Sequence, residues 1–255
     1  MSINIAIANQ KGGVGKTTTV IDLAASLSAL KKKVLVIDLD QSGNLTTYVD
    51  ADTSMPNIYN VLNADTPISQ SLQKIGKYSF IASSKELSKA ERQFVDYDDI
   101  FLLKDVIDTV GDDYDFVIID NGPSRSILLT MSYVAADYII APTDCDDGSI
   151  DGIREVYADL TEIRSKKRPI SNAKLLGILL TKYERTIMHQ EAEISIEEIA
   201  ENTEDKPFVM TIRKAITASE SKSARESMQE YQHDSNPAID YRAVAKKIIK
   251  KTGGK

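Results

Sequence analysis

Three closely spaced glycines, between a short apolar run and a helical pattern, constrain this chain more than any other feature. The segment reads INIAIANQKGGVGKTTT, and its helical pattern starts at Lys16. Gly12, Gly13 and Gly15 interrupt the chain between the two patterns. Glycines let backbone N–H groups turn inward at the positive end of a helix dipole, so this order of strand, turn and helix predicts a phosphate-binding loop.

The loop has the features of a deviant Walker A motif. Lys16 is expected to reach the β- and γ-phosphates of a nucleotide, and the hydroxyl of Thr17 is expected to bind Mg²⁺. A standard P-loop has a glycine where this chain has Gln10, and an early lysine, Lys11, follows it. The alternative, a glycine-rich turn that binds nothing, is disfavoured by the combined spacing. The predicted nucleotide-binding residues are Lys11, Gly12, Gly13, Val14, Gly15, Lys16, Thr17 and Thr18.

Apolar runs alternate with helical patterns along the rest of the chain. Runs that are apolar throughout are typical of parallel strands buried on both faces, and they occur at 34–37, 116–119, 138–141 and 175–180. A further short strand is predicted at 78–82, and helical patterns occur at 58–62, 68–75, 102–110 and 149–163. The fold class predicted is α/β, with a doubly wound, mostly parallel sheet flanked by helices, as in P-loop NTPases.

Acidic residues follow two of the predicted strands. Asp38 and Asp40 alternate at the end of one strand, and Asp120 ends another. Ligands of open α/β sheets bind at the carboxyl ends of the strands, so Asp120 is predicted to hold Mg²⁺ in the manner of a Walker B carboxylate. The alternative for Asp38 and Asp40 is a pair of turn acids.

Composition limits the remaining possibilities. The chain has 255 residues, 42% of them hydrophobic and 27% charged, which is ordinary for a globular protein. No linker divides it, so residues 1–255 are predicted to form a single domain, and without a membrane span or leader a cytoplasmic location is expected. The lone Cys145 excludes an internal disulfide framework or CxxC metal site. With His189 and His233 distant in sequence, Cys145 is interpreted as a small buried hydrophobe.

Charge is distributed unevenly. The net charge is −7, so any nucleic-acid binding must come from a local patch. Residues 241–255 contain six basic residues and no acidic one, while residues 166–168 form a basic cluster interpreted as a solubilising loop. A basic C-terminal helix is predicted at about 237–251, with Pro237 in its first turn. A stripe of Tyr241, Val244, Ala245 and Ile248 is expected to dock this helix onto the domain.

The segment NQKGGVGKTTT resembles the ParA/MinD group of ATPases, and within it the ParA (Soj-like) partition proteins. VLVIDLDQSGN is similar to the motif VLVIDLDPQGN of that family, and APTDCDDGSIDG to P-x-x-C-E-x-x-A-L-E-G. The resemblance implies that Lys11 reaches across a nucleotide-sandwich dimer to the partner's phosphates. It also implies that Asp40 positions the attacking water and that Asp38 lies near the Mg²⁺ shell. The catalytic residues so implied are Lys11, Lys16 and Asp40, and the metal-binding residues are Thr17, Asp38 and Asp120.

The function implied by the resemblance is that of an ATP hydrolase that uses ATP and Mg²⁺ as a partition switch. ATP would close a homodimer, the dimer would bind DNA without sequence preference, and a ParB-like centromere-binding protein would trigger hydrolysis. The expected location is cytoplasmic and nucleoid-associated. Because the chain starts at its first strand, an N-terminal operator-binding domain is not expected. The predicted DNA-binding residues are Arg185, Arg213, Lys214, Lys246, Lys247, Lys250 and Lys251.

Three other classes remain as alternatives. A MinD-like membrane-cycling ATPase would use the tail AVAKKIIKKTGGK as an amphipathic anchor, but that tail has a short apolar face without Phe, Trp or Leu, so membrane binding is not expected. Iron–sulfur carriers need paired cysteines, and a metabolic ligase needs a second-substrate motif that the sequence does not display. Departures from the family pattern are Gln41-Ser42 in place of Pro-Gln, Asn121-Gly122 before Pro123, and Arg213 in place of a proline beside the adenine.

Overall fold

The computed structural model describes residues 1–165, 167 and 169–253, so two residues of the basic cluster at 166–168 lie outside the described part. The strands are β1 (Ile3–Ile7), β2 (Val34–Asp38), β3 (Gln73–Ile75), β4 (Tyr78–Ile81), β5 (Phe116–Asp120), β6 (Tyr138–Thr143), β7 (Lys174–Tyr183) and β8 (Phe208–Arg213). Within the described residues they form one eight-stranded sheet in the order β3-β4-β2-β5-β1-β6-β7-β8. Every neighbouring pair is parallel except β3 and β4, which form an antiparallel hairpin.

Helices follow most of the strands and return the chain along one of the two faces of the sheet. They are α1 (Lys16–Ala29), α2 (Asn44–Tyr48), α3 (Ile58–Leu62), α4 (Ala90–Gln93), α5 (Leu102–Asp108), α6 (Ile127–Ala135), α7 (Asp147–Ser165), α8 (Ile187–Asn202), α9 (Thr217–Ala224), α10 (Met228–Tyr231) and α11 (Asn236–Thr252).

Two apolar layers enclose the sheet. Side chains of β1 alternate between them: Ile5 and Ile7 pack with α1 and α11, whereas Ala6 packs with α5, α6 and α7 on the opposite face. Strands buried on both faces explain why the sequence shows continuous apolar runs. The predicted fold class, a doubly wound and mostly parallel α/β sheet, is confirmed.

Two segments differ from the sequence prediction. The prediction of a helix at 68–75 is wrong, because the chain makes a short 3₁₀ turn at Ile68–Gln70 and then enters β3. Gly76, at a φ of 50°, closes the hairpin to β4 in a left-handed conformation that glycine adopts at little cost. No strand is predicted at β8, which is an edge strand with mostly half-buried side chains and therefore lacks a clear buried run.

The C-terminal helix α11 docks onto α1 and β8. The predicted stripe of Tyr241, Val244, Ala245 and Ile248 is buried, and the Tyr241 hydroxyl lies 3.0 Å from Thr19 Oγ1. Among the described residues no helix combines the length and the apolar character needed to cross a membrane. The assignment of residues 1–255 to a single domain stays a prediction.

Candidate nucleotide-binding site

The glycine loop between β1 and α1 has the conformation of an anion cradle. Gly13 and Gly15 have φ values of 79° and 90°, in the left-handed region where a side chain is strained. Gly15 is the N-cap of α1, and no side chain of the described residues caps this helix end. The first backbone N–H groups of α1 are therefore available to an anion at the positive end of the helix dipole.

Lys16 lies buried inside the loop. Its Nζ donates hydrogen bonds to the backbone oxygens of Asn9, at 3.0 Å, and Lys11, at 2.9 Å. Burial lowers the pKa of the Lys16 ammonium, and the charges of Asp120 and Asp40 act in the opposite direction. A negatively charged phosphate in the cradle would therefore stabilise the ammonium beyond what the carbonyl dipoles provide.

Thr17 and Asp120 form a site that fits Mg²⁺. Thr17 Oγ1 donates a hydrogen bond to Asp120 Oδ2 at 2.9 Å, while the buried Oδ1 has no hydrogen-bond partner within the described residues. Burial raises the pKa of Asp120 well above its usual value, and the neighbouring Asp38 adds to the effect. A hydroxyl and a carboxylate are the oxygen ligands that Mg²⁺ prefers, and its charge would stabilise this buried carboxylate.

Asp38 is adjacent to Asp120 across the β2–β5 ladder and is fully buried. Its Oδ2 accepts hydrogen bonds from the backbone N and the Oγ1 of Thr46, at 2.8 and 2.7 Å, and its Oδ1 accepts one from the N of Asp40 at 3.1 Å. In this structure Asp38 therefore fixes the loop that carries Asp40 into α2. Its metal-binding role stays a prediction.

Asp40 is half-buried at the wall of the cleft. Its Oδ1 accepts a hydrogen bond from the N of Ser42 at 2.9 Å, which fixes the carboxylate on its own loop. A Cβ atom added at Gly122 would lie 3.2 Å from the same oxygen, so the turn after β5 approaches Asp40 closely. The loops after β2 and β5 together position the predicted water-orienting carboxylate.

The cleft in front of the loop has a volume of about 520 Å³. Besides the glycine loop and Asp40, its walls come from α2 and from the end of α9, which the sequence patterns did not assign to the site. Lys222 and Arg225, three residues apart, line this wall, and Arg225 forms an ion pair with Asp50. The spacing of these two basic residues was the sequence signal for this part of the cleft. The additional lining residues are Asn44, Thr47, Tyr48, Pro123, Lys222 and Arg225.

Lys11 lies outside this cleft. Its Nζ forms an ion pair with Asp146, and 39% of its side chain is exposed. Asn9 supports the turn, because its Oδ1 accepts a hydrogen bond from Lys11 N at 2.9 Å while its Nδ2 donates to the backbone oxygen of Pro142 at 2.9 Å. The structure thus separates the two lysines of the loop, with Lys16 inside the cradle and Lys11 at the surface.

The predicted DNA-binding residues form two separate groups. At the carboxyl edge of the sheet, Arg213 pairs with Asp240 at 2.6 Å and Lys214 with Glu184 at 3.0 Å. The second group lies on the exposed face of α11, and Lys250 is ten residues beyond Asp240, or about 15 Å along a helix. No ion pair of the α11 lysines occurs among the described residues. All seven predicted DNA-binding residues are exposed: Arg185, Arg213, Lys214, Lys246, Lys247, Lys250 and Lys251.

Cys145 is less buried than the sequence predicts. Cys145 is half-buried at the margin of the core and is not a fully buried hydrophobe. The start of α8 brings His189, distant in sequence, beside Cys145 and Asp144. Sequence distance gave no indication of this contact, which depends on the β7–α8 connection.

A parallel sheet whose first helix follows a KGGVGKT loop, with an acidic residue at the end of the neighbouring strand, defines a P-loop nucleotide hydrolase of the deviant Walker A type. The family described as "AAA domain" matches residues 2–176. "Chromosome partitioning protein ParA" of Myxococcus xanthus is 30% identical over 254 residues, which are 97% of this chain and 88% of that protein. The chain belongs to the ParA/MinD family of ATPases, and the predicted family is confirmed.

Two further comparisons agree with this assignment. "Chromosome-partitioning ATPase Soj" of Thermus thermophilus is 30% identical over 246 residues, covering 96% of this chain and 94% of that protein. A crystal structure of cobyrinic acid a,c-diamide synthase from Mycobacterium smegmatis, with bound ADP and magnesium, has a TM-score of 0.83 and 27% identity. It covers 99% of this chain and 97% of that one. The predictions of an ATPase, and of ATP and Mg²⁺ as its cofactors, are confirmed.

Proposed function

We propose that this chain is a DNA-partition switch, in which ATP and Mg²⁺ close a homodimer that binds DNA without sequence preference. A ParB-like centromere-binding protein then stimulates hydrolysis and releases the DNA. Relatives named for chromosome partitioning match this chain over almost its whole length, which supports the proposal. The observation that carries it is the docked helix α11, whose apolar stripe is buried while its lysines face outward.

The residues of the site suit hydrolysis of a γ-phosphate. Lys16 and the first N–H groups of α1 bind the phosphates, Thr17 and Asp120 hold Mg²⁺, and Asp40 orients the attacking water. The metal ion, when bound, neutralises charge on the β- and γ-phosphate oxygens. Attack by water is a problem of positioning and charge neutralisation, and these side chains address both.

The position of Lys11 supports a role in a dimer. The Lys11 ammonium lies at the surface, outside its own cradle, and is therefore accessible to the phosphates of a second copy. Closing the dimer would exchange the Asp146 carboxylate for a more highly charged phosphate. We infer that Lys11 acts in trans, while Lys16 serves the nucleotide of its own subunit.

The structure of α11 favours DNA over a membrane as the ligand of the tail. Ile248 is fully buried and Ile249 packs partly against the same core, so lipid insertion would require the helix to undock. The exposed lysines need no such change to contact phosphates. Two copies in a dimer would raise the affinity of a weak patch through effective concentration. The proposed location is cytoplasmic and nucleoid-associated.

One observation favours a second candidate, an ATP-dependent amide ligase. The Mycobacterium smegmatis structure that is 27% identical to this chain is named as a diamide synthase. A ligase of that kind would hydrolyse ATP only with a carboxylate substrate and an amine donor, and DNA would have no effect on it.

Co-sedimentation with plasmid DNA tests the proposal. The wild type should bind DNA with ATP and Mg²⁺ but not with ADP, and binding should weaken steeply with salt as counterions are released. Lys246→Glu/Lys250→Glu should abolish DNA binding and keep ATP affinity. The matched control, Lys85→Glu/Lys89→Glu, makes the same charge change at two exposed lysines on the opposite face of the sheet and should bind DNA as the wild type does.

Two results would contradict the proposal. The first is that the Lys246→Glu/Lys250→Glu variant binds DNA with the same affinity as the control variant. The second is that anionic liposomes, but not DNA, capture the wild type in the ATP state. The first would remove α11 from the DNA surface, and the second would favour the membrane-cycling class. A wild-type protein that binds neither DNA nor liposomes, and whose ATP turnover depends on a carboxylate and an amine donor, would favour the ligase.

A further inference from the structure

Three side chains with different metal-binding atoms meet at the carboxyl edge of the sheet, outside the nucleotide site. Asp144 and Cys145 follow β6, and His189 lies in the first turn of α8. One ligand atom from each lies within 4.8 Å of the other two. We propose that Asp144, Cys145 and His189 form a binding site for a divalent transition-metal ion of the zinc type.

The ligand chemistry separates this site from the magnesium site. Thiolate and imidazole select Zn²⁺ and related transition metals, whereas Mg²⁺ prefers oxygen ligands throughout. Three protein ligands leave the fourth tetrahedral position for water or an external ligand. On binding, the thiol of Cys145 releases its proton to solvent, a metal–sulfur bond forms, and nothing is oxidised or reduced.

His189 is already oriented by its neighbours. The residue is only 4% exposed, its Nδ1 lies 2.8 Å from Thr186 Oγ1, and its ring packs edge-on against Tyr183 with centroids 5.6 Å apart. Thr186 is also the N-cap of α8. With Nδ1 engaged by a hydroxyl, Nε2 is the nitrogen available to a metal ion. A ligating histidine commonly has such a support on its other nitrogen.

Asp144 is held in place but keeps coordination capacity. Its Oδ1 accepts a hydrogen bond from Cys145 N at 2.8 Å, and its Oδ2 accepts one from Lys182 Nζ at 2.7 Å. Each carboxylate oxygen has a second lone pair for a metal ion. Ligands that share a tetrahedral Zn²⁺ at about 2.0–2.3 Å lie roughly 3.5 Å apart, so the three side chains need to close by only about 1 Å.

The site is linked to the phosphate loop through Lys182. The same Nζ that pairs with Asp144 donates a hydrogen bond to the backbone oxygen of Gly13 at 2.9 Å. A metal ion that shares the Asp144 carboxylate would weaken its hold on Lys182 and so alter the environment of Gly13. The metal site itself does not depend on the proposed partition function, because it needs neither DNA nor a dimer.

Titration of the full-length protein with Co²⁺ tests the site, with no nucleotide and with excess Mg²⁺ to fill the Thr17–Asp120 site. Cobalt bound to a thiolate gives a charge-transfer absorption in the near ultraviolet, together with visible bands that report tetrahedral geometry. The wild type should bind one Co²⁺ per chain, and Zn²⁺ should displace it. The assignment is unambiguous because the chain has one cysteine and two histidines.

Variants assign the ligands. Cys145→Ser should lose the charge-transfer band. His189→Gln removes a ligand and should weaken Co²⁺ binding by about 100-fold or more, because loss of even an outer-shell partner of a ligand costs up to about 100-fold. His233→Gln removes the other histidine, which is exposed, and should bind Co²⁺ as the wild type does. Circular dichroism verifies folding, and Asp144→Asn, with nearly unchanged shape, provides a second ligand variant if His189→Gln does not fold.

Three outcomes would overturn the site: no thiolate band in the wild type, unchanged binding in a folded His189→Gln or Asp144→Asn variant, or one Co²⁺ shared by two chains. A wild-type protein that shows the thiolate band but does not bind DNA in the presence of ATP would leave the metal site intact and reject only the partition function. The two proposals therefore fail separately.

Discussion

Thr17 Oγ1 donates a hydrogen bond to Asp120 Oδ2 across 2.9 Å, while Oδ1 of the same buried carboxylate has no partner among the described residues. The two residues are 103 positions apart and meet because β1 and β5 are adjacent parallel strands. A buried carboxylate with an unsatisfied oxygen is costly unless a cation joins it. A Mg²⁺ ion bound by this pair would connect the metal site to the start of α1.

Thr17→Val keeps the shape of the side chain but removes the hydroxyl, so it should weaken binding of ATP with Mg²⁺. The loss should be about 10-fold or more, the equivalent of a hydrogen bond to a charged group. Binding of ATP in EDTA should change little. A fluorescent ATP analogue measures both affinities, and Thr161→Val, the same change at an exposed position of α7, is the control. Equal losses with and without Mg²⁺ would remove Thr17 from the metal site.

Gly12→Val should block dimerisation without unfolding the monomer. Apart from its two chain neighbours, a Cβ atom at Gly12 would have no described atom within 4 Å, so the monomer has room for an added side chain there. The variant should fold and still bind ATP, yet fail to dimerise if Gly12 packs at the dimer axis. Light scattering with ATP and Mg²⁺ measures the mass. Normal dimerisation would show that the loop does not face the partner.

Gly122→Ala should slow hydrolysis without weakening ATP binding. The added methyl group would lie 3.2 Å from Asp40 Oδ1, so the carboxylate must move by a few tenths of an ångström. Displacement of a positioning group predicts a fall in kcat of about 10-fold. The effect should disappear in an Asp40→Ala background, because no carboxylate is left to displace. An equal effect in both backgrounds would mean that the methyl group acts elsewhere.

Asp22 predicts a pH dependence of stability. Burial raises the pKa of Asp22 to about 7, although its Oδ1 accepts a hydrogen bond from Met228 N at 2.7 Å. Between about pH 4 and 7 the folded state holds a proton that the unfolded state has lost, so the free energy of unfolding falls as the pH rises through this range. By pH 8 the cost is on the order of 4 kcal/mol.

Asp22→Asn keeps the acceptor for Met228 and removes the charge. It should be more stable than the wild type at pH 8, with the difference shrinking towards pH 4. Urea unfolding at several pH values measures this, and Asp65→Asn, an exposed site with the same charge change, is the control. A pH-independent difference between Asp22→Asn and the wild type would contradict the assignment.

The sequence predicts those parts of the site that are encoded locally. The glycine loop, Lys16 and Thr17 lie within a few residues of one another, and Asp40 and Asp120 stand where buried strands end. Both patterns specify a position at the carboxyl edge of a parallel sheet, so adjacency in space follows from topology.

Contacts between distant segments were not predictable in this way. The end of α9 brings Arg225 to the cleft from 210 positions beyond Gly15, and α8 brings His189 to Cys145. Close packing also leaves little trace in a sequence pattern. A Cβ at Gly177 would lie 2.4 Å from the ring of Phe208, its register partner on β8, so the ring occupies the space that a side chain would need. Such contacts depend on how side chains fit together in space, whereas the sequence pattern reports only the spacing of apolar residues along the chain.

We propose that ATP closes a two-subunit switch and that hydrolysis opens it. Asp40→Ala should bind ATP but stall before hydrolysis, because the phosphate contacts survive while the water is no longer oriented. Asp40→Ala/Lys11→Ala is the matched variant that should also lack the contact in trans. Light scattering with ATP and Mg²⁺ should give a stable dimer for Asp40→Ala and a monomer for the double variant. A monomer for Asp40→Ala, at concentrations that saturate its ATP site, would contradict the account.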